Sequence, residues 1–210
     1  MNIAILGTGS VGRALGRGWA DAGHAVVFGS RHPDADKAQS LVASIGDRAG
    51  ATSLAEAAAA ADVVALAIPW GTVERTLTDL SDLTGKVLID CTNPLKPNLA
   101  GLAVDDDTSG AEQIAAWAPE ARVVKAFNTT GANNMADPVY DGTPLTMFVC
   151  GNDAEAKTTV MALAEDLGFE AVDAGILMRA RQLEPLALLW IHLATSAGLG
   201  REIGFKLLRR

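Results

Sequence analysis

The hexapeptide GTGSVG at residues 7–12 follows the apolar run NIAIL (2–6) directly and opens a helical pattern near 10–20. Its glycine spacing constrains the chain strongly. Gly7 permits a sharp exit from a strand, Gly9 removes the side chain that would block a pyrophosphate, and Gly12 lets the helix pack closely on the strand. Thr8, Ser10 and Val11 complete the loop, and the backbone amides at the helix start then face phosphate. A second apolar run, AVVF (25–28), follows the helix and ends near residue 29. In that strand, turn, helix, strand setting the pattern reads as a dinucleotide-binding fingerprint.

The residue that closes the second strand selects the dinucleotide. A carboxylate there accepts hydrogen bonds from the ribose hydroxyls of NAD and repels a 2′-phosphate. This chain has Ser30, Arg31 and His32 instead. Ser30 can donate to a phosphate oxygen, and Arg31 can pair with the phosphate while laying its plane along the adenine. Lys37, one to two turns into the next helix, offers a second positive charge. The plainer alternative is a solvated arginine at a strand end; the expected ligand is NADP(H).

Apolar runs and helical patterns alternate along the remainder. The runs are DVVALAI (62–68), KVLID (86–90), RVVKAF (122–127), TMFVC (146–150) and EAVDA (170–174). Helical patterns fall near 34–46, 53–61, 71–80, 110–118 and 153–167, with a last one over 178–198. Runs apolar on both faces suit central parallel strands joined by crossover helices. The prediction is an α/β fold, a Rossmann-like doubly wound and mainly parallel sheet with a C-terminal strand and helix extension. With 210 residues, 49% of them apolar, one NADP-binding domain over 1–210 is expected, with 128–210 as the extension. The long irregular segment PLKPNLAGLAVDDDTSG (94–110) follows a strand end and is expected to face the ligand crevice.

A net charge of −8 gives no field that would attract nucleic acid or an anionic membrane surface. The longest apolar stretch, residues 185–200, is shorter than the roughly 20 residues that span a bilayer. It is expected as a buried or subunit-interface helix of a homodimer. Cys91 and Cys150 each end an apolar run and read as buried strand thiols of a reducing compartment. The N-terminus passes straight into a strand pattern without a targeting signal, so the cytoplasm is the expected location.

Several separated motifs resemble one family. They are GTGSVG (7–12), GSR (29–31), IPW (68–70), VCGND (149–153), VDAG (172–175) and GLGREIGFKLL (198–208). Together they resemble the NADPH-dependent reductases of the 8-hydroxy-5-deazaflavin coenzyme F420 and the related cytosolic reductase domains of membrane ferric reductases. DCTNPLKP (90–97) and KAFNTTGANNM (125–135) look more like the ferric reductase branch. The resemblance implies a Rossmann protein in which NADPH and a flavin-like coenzyme meet at the C-terminal edge of the sheet. It implies that Ile68, Pro69 and Trp70 border the ribose and nicotinamide, with Trp70 either capping the crevice or stacking on a ring. Asn93, Pro94, Phe127, Asn128 and Thr129 are expected around the nicotinamide, with Asn128 able to bond its amide.

Hydride transfer between stacked rings needs positioning rather than a side-chain acid, so no catalytic side chain is assigned and no metal is expected. Lys125 is the best candidate for a general acid, set against a structural or phosphate contact. His24 lies in a turn away from the crevice, and His192, in an apolar helix, reads as structural. Arg179 and Arg181, beside Met178, could hold an acidic coenzyme tail or form an ordinary surface pair. The leading expectation is an oxidoreductase passing hydride between NADP(H) and a small-molecule acceptor, F420 or FMN/FAD. Its alternatives are an NADPH-dependent reductase of another small substrate or ferric chelate, and an NADPH-binding sensor without turnover.

Overall fold

The computed structural model describes residues 1–80 and 82–210. The first half of the chain runs through β1 (Asn2–Leu6), α1 (Ser10–Asp21), β2 (Ala25–Gly29), α2 (Asp36–Ile45), β3 (Ala49–Thr52), α3 (Leu54–Ala60), β4 (Val63–Leu66), α4 (Val73–Asp79) and β5 (Val87–Asp90). It continues through α5 (Gly110–Trp117), β6 (Arg122–Lys125), α6 (Ala132–Ala136), β7 (Val139–Tyr140), β8 (Thr143–Pro144), β9 (Thr146–Gly151), α7 (Ala154–Glu165), β10 (Glu170–Gly175) and α8 (Ala180–Thr195). Eight strands form one sheet in the order β10-β9-β6-β5-β4-β1-β2-β3, and β7 pairs with β8 as a separate hairpin.

Strands β3 through β6 lie parallel, with β1 and β4 adjacent at the reversal of strand order. A crevice opens beyond the carboxyl ends at such a reversal. The pairing of β9 with β6 is antiparallel, Lys125 opposite Cys150. Its cause is local. Between β6 and β9 the chain makes only the one-turn α6 and the β7–β8 hairpin, too little to cross over the sheet and restart at the opposite edge.

Alternation along β1 sorts the core onto two faces. Ile3 and Ile5 pack with Leu15, Trp19, Phe28 and Phe127. Ala4 and Leu6 pack with Leu66, Leu88, Ile114 and Leu183. Both clusters are fully buried, as expected of a sheet covered by helices on both sides. Cys91 and Cys150 are buried free thiols in this core, and burial pushes the Cys150 thiol up to about 12.

Three features differ from the sequence reading. The edge strand β3 has the sequence AGAT, without the apolar run that marks the others. α6 and the hairpin fall in a part of the extension for which the sequence reading placed no element. α8 buries Leu183, Glu184, Ala187, Trp190 and Ala194, but leaves its outer face open, with Leu189 47% exposed. His192 is therefore exposed rather than structural. Beyond α8 the chain folds back: the Ile203 carbonyl accepts from Trp190 Nε1 at 2.9 Å and from Asn134 Nδ2 at 2.7 Å, tying the C-terminal motif to α8 and α6.

Candidate functional site

The glycine loop has the geometry its spacing requires. Gly7 takes φ +119°, and a Cβ there would stand 2.3 Å from the Ala67 carbonyl oxygen. A Cβ on Gly12 would stand 2.3 Å from the Gly7 carbonyl oxygen, so these two glycines are demanded by the protein itself. Gly9 is different: its φ is −77°, and a Cβ would meet nothing within 4 Å. The space above Gly9 is a cradle that the chain leaves for something else. Gly9 also caps α1 without any side-chain hydrogen bond, and no acidic residue stands in the first turn. Those amides and the positive end of the helix suit an anion.

A cleft of about 430 Å³ opens over this loop, lined by Gly7, Thr8 and Gly9 at its floor and by Ser30, Arg31, His32 and Lys37 at the end of β2. Ile68 and Pro69 after β4, with Thr72 and Thr76, form the opposite wall. Among the described residues no carboxylate lines it. Arg31 and Lys37 are exposed, and among the described residues neither forms an ion pair. Ser30 is fixed by its own turn: its hydroxyl accepts from the His32 amide at 3.1 Å, and its amide donates to the Thr52 carbonyl at 2.9 Å. Two exposed cations beside an anchored serine fit a 2′-phosphate better than a bare ribose; Asp34 and Asp36 stand in the same segment but do not line the cleft. Leu54, Thr72 and Thr76 also line the cleft. Sequence reading gave no sign of them, because their places depend on where α3 and α4 dock.

The other half of the predicted site has been divided. Trp70 packs on Trp117, ring centroids 5.5 Å apart and tilted by 33°, and does not line the cleft. With Pro94 it covers Gly110 at the start of α5, where a Cβ would stand 3.1 Å from Trp70 and 3.2 Å from Pro94. Phe127 takes φ +61°, which turns its ring into the core against Trp19 and Phe169. Only its backbone is available to a ligand. Residues 98–101 line not the cleft but a second groove of about 510 Å³ against Pro185, Leu188, Leu189, His192 and Ser196 of the α8 region.

Asn93 and Asn128 form a reciprocal pair at the ends of β5 and β6. Asn93 Nδ2 donates to the Asn128 carbonyl at 3.0 Å, and Asn128 Nδ2 donates to Asn93 Oδ1 and to the Leu183 carbonyl, both at 3.1 Å. Asn128 Oδ1 is buried and has no partner. An unpaired buried acceptor is costly, and a ligand N–H would relieve that cost; neither asparagine lines the 430 Å³ cleft, so the pair lies outside the part of the site that the cleft defines.

Directly behind this pair lies a buried ionic cluster. Lys125 Nζ contacts Asp90 Oδ2 at 2.8 Å, Glu184 Oε1 at 3.0 Å and the Thr92 carbonyl at 2.6 Å. Lys125, Asp90 and Glu184 are each at most 1% exposed. Burial alone would lower the Lys125 ammonium, but the carboxylates of Asp90 and Glu184 overcome it and raise it above its ordinary value. Every N–H of the ammonium is occupied, so Lys125 is not placed to act as a general acid. One sequence signal marks the cluster: Asp90 and Lys125 each follow an apolar run at the end of a strand, and they are direct partners in the sheet. Arg181 is equally committed, gripping Glu112 through two bonds of 2.8 and 2.7 Å and holding that carboxyl below its usual range, while Arg179 stays exposed.

A doubly wound sheet with this glycine loop and Ser30–Arg31 in place of a carboxylate at the end of β2 defines a dinucleotide-dependent protein of the NADP class. Residues 2–94 match the family described as NADP oxidoreductase, coenzyme F420-dependent. The F420-dependent NADP reductase of Methanothermobacter marburgensis is 36% identical over 210 residues, covering 92% of each chain. A crystal structure of a putative F420-dependent NADP-reductase from Arthrobacter sp. FB24 superposes with a TM-score of 0.90 at 34% identity, over the whole of both chains. The metalloreductase STEAP3 of Rattus norvegicus is 34% identical over 187 residues, 89% of this chain but 36% of that protein. The chain therefore spans about a third of the length of that metalloreductase. It belongs to the F420-dependent NADP reductase family and is an NADP-dependent oxidoreductase. Among the described residues no helix is long and apolar enough to cross a membrane, and no group of three or more His, Cys, Asp or Glu could hold a metal ion.

Proposed function

We propose that this protein transfers hydride between NADP(H) and a deazaflavin or flavin acceptor at the carboxyl edge of the sheet. The observation that carries the reading is the commitment of Lys125 to Asp90 and Glu184, which removes the best candidate for a proton donor that the sequence offered. Reduction of a carbonyl or imine calls for such a donor. Hydride exchange between two stacked rings does not.

In this reading NADPH supplies the hydride, and the chain supplies its orientation. The amides from Thr8 to Gly12 hold the pyrophosphate, with Gly9 allowing the approach. Ser30, Arg31 and Lys37 hold the 2′-phosphate. Ile68 and Pro69 flank the ribose, and Asn128 Oδ1 accepts from the carboxamide N–H₂, with Asn93 fixing its orientation. Pro94 and Trp70 support the edge from behind, through the start of α5.

The likeness to STEAP3 favours a second acceptor class, a ferric chelate reduced directly or by way of a flavin. One experiment separates them. Purified protein is mixed with NADPH and, separately, coenzyme F420, FMN, FAD and a ferric chelate, and NADPH loss is followed together with acceptor reduction. Rapid reduction of F420 or a flavin is expected. Turnover with the chelate alone moves the protein to the second class, and silence with all four leaves an NADPH-binding sensor or a reductase of another small substrate.

A homodimer belongs to the same reading. Its interface is the outer face of α8, where Leu189 is 47% exposed beside the exposed His192. Light scattering at micromolar concentration is expected to give twice the chain mass; a monomer overturns this part.

A further inference from the structure

We propose that Lys125, Asp90 and Glu184 are positioning residues for the nicotinamide: they lock the Asn93–Asn128 pair in the orientation that aims Asn128 Oδ1 at the ligand. The inference rests on the proposed seat of the nicotinamide at that pair.

The cluster draws together the elements that carry the pair. Asp90 ends β5, and its Oδ1 accepts from both the amide and the hydroxyl of Thr92, at 2.8 and 2.7 Å. Lys125 holds the carbonyl of the same threonine, so the residue preceding Asn93 is fixed on both sides of its peptide. Glu184 brings in α8. Its Oε2 accepts from the Gly110 amide at 2.9 Å and its Oε1 from the Ala111 amide at 3.2 Å, at the start of α5. The residue before it, Leu183, gives its carbonyl to Asn128 Nδ2. Asn128 is thus held by a side chain from β5's end and a backbone carbonyl from α8, both set by one ammonium.

Charge and hydrogen bonding balance within the cluster. One cation faces two carboxylates, and the excess negative charge rests on the α5 amides at the positive end of that helix. Stability alone does not call for this arrangement, since apolar residues of similar volume replace buried ion groups at little or no cost in many proteins. What an apolar core cannot supply is directionality. Six polar contacts of fixed length determine where the Thr92–Asn93 and Leu183–Glu184 peptides lie, and those peptides determine the amide pair. Displacements of about 1 Å in a ring that must donate hydride cost up to roughly 100-fold in rate.

The test uses Glu184→Gln and, in case one unbalanced charge prevents folding, the neutral triple variant Asp90→Asn/Lys125→Met/Glu184→Gln. Each is compared with wild type in three measurements: affinity for 2′,5′-ADP, which occupies only the adenine end; the emission of bound NADPH, which reports the nicotinamide's surroundings without any acceptor; and single-turnover hydride transfer. We expect 2′,5′-ADP affinity within twofold of wild type, a shifted and weakened NADPH emission, and hydride transfer slowed by at least roughly tenfold. Unchanged emission and transfer rate overturn the proposal. So does a parallel loss at both ends of the dinucleotide, which would mark general loosening. If wild type reduces no acceptor, the functional reading fails while the emission comparison still decides this one.

Discussion

Replacing Arg31 by Ala is expected to raise the dissociation constant for NADPH roughly 30- to 150-fold, the equivalent of about 2–3 kcal/mol for a lost charge-assisted bond to phosphate. The constant for NADH is expected to stay within about twofold, since without the phosphate the guanidinium has only the adenine face to rest on. The asymmetry follows from the site. Arg31 is exposed and forms no ion pair among the described residues, so its removal strands no partner among them, and Ser30 is held by the His32 amide and Thr52 carbonyl independently of it. Lys37 remains and sets the upper bound on the loss. Because the cleft is open to solvent, the discrimination between wild type and variant is also expected to narrow as salt is added. Fluorescence titration with both nucleotides at two ionic strengths checks this; equal weakening of both would remove Arg31 from the phosphate site.

How much of this was legible beforehand depended on whether a feature was local. The glycine loop and the Ser30–Arg31 ending were readable because each is a short contiguous stretch whose residue types announce its conformation, even though Ala67 and Thr52 help to hold it. Central strands were readable because burial on both faces leaves runs such as VVAL and VLID; the edge strand β10 was found from EAVDA although it is only partly buried. β3 was not, because an edge strand next to β2 needs only small residues, and AGAT carries no periodicity. Phe127 and Trp70 show a different failure. Their positions after strand ends were correctly found, but a positive φ turns one ring into the core, and a tertiary contact with Trp117 draws the other onto α5. Glu184 lay furthest from reach. It stands in an apolar helix 59 residues from Lys125 in sequence, and only the packing of α8 on the sheet makes it a partner of that lysine. Asp90 and Lys125 were within reach, as opposite charges closing neighbouring strands at the same register position.

The same cluster makes Lys125→Met the most damaging single substitution expected for the fold. It leaves Asp90 and Glu184 buried without their cation, and breaking such a group from one side costs about 3–5 kcal/mol. For a chain of this size that corresponds to a fall in Tm of roughly 6–20 °C. The pH dependence supplies an independent signature. The folded Lys125 ammonium is raised above its ordinary 10.5, so the folded state holds this proton more tightly than the unfolded chain. Its contribution is therefore complete below about pH 10 and is lost as pH rises through the folded value. Tyr140, raised first by burial and then by Glu202 and Asp137, also costs stability as pH rises above its ordinary value, and the buried thiols do so earlier, from about pH 9 upward. Urea unfolding of wild type and Lys125→Met between pH 7 and 11 separates these contributions, since only the difference between the two chains belongs to the lysine. That difference is expected to be largest at neutral pH and to shrink above pH 10.5; a gap that stays constant with pH would mean the loss comes from packing volume and not from the charge.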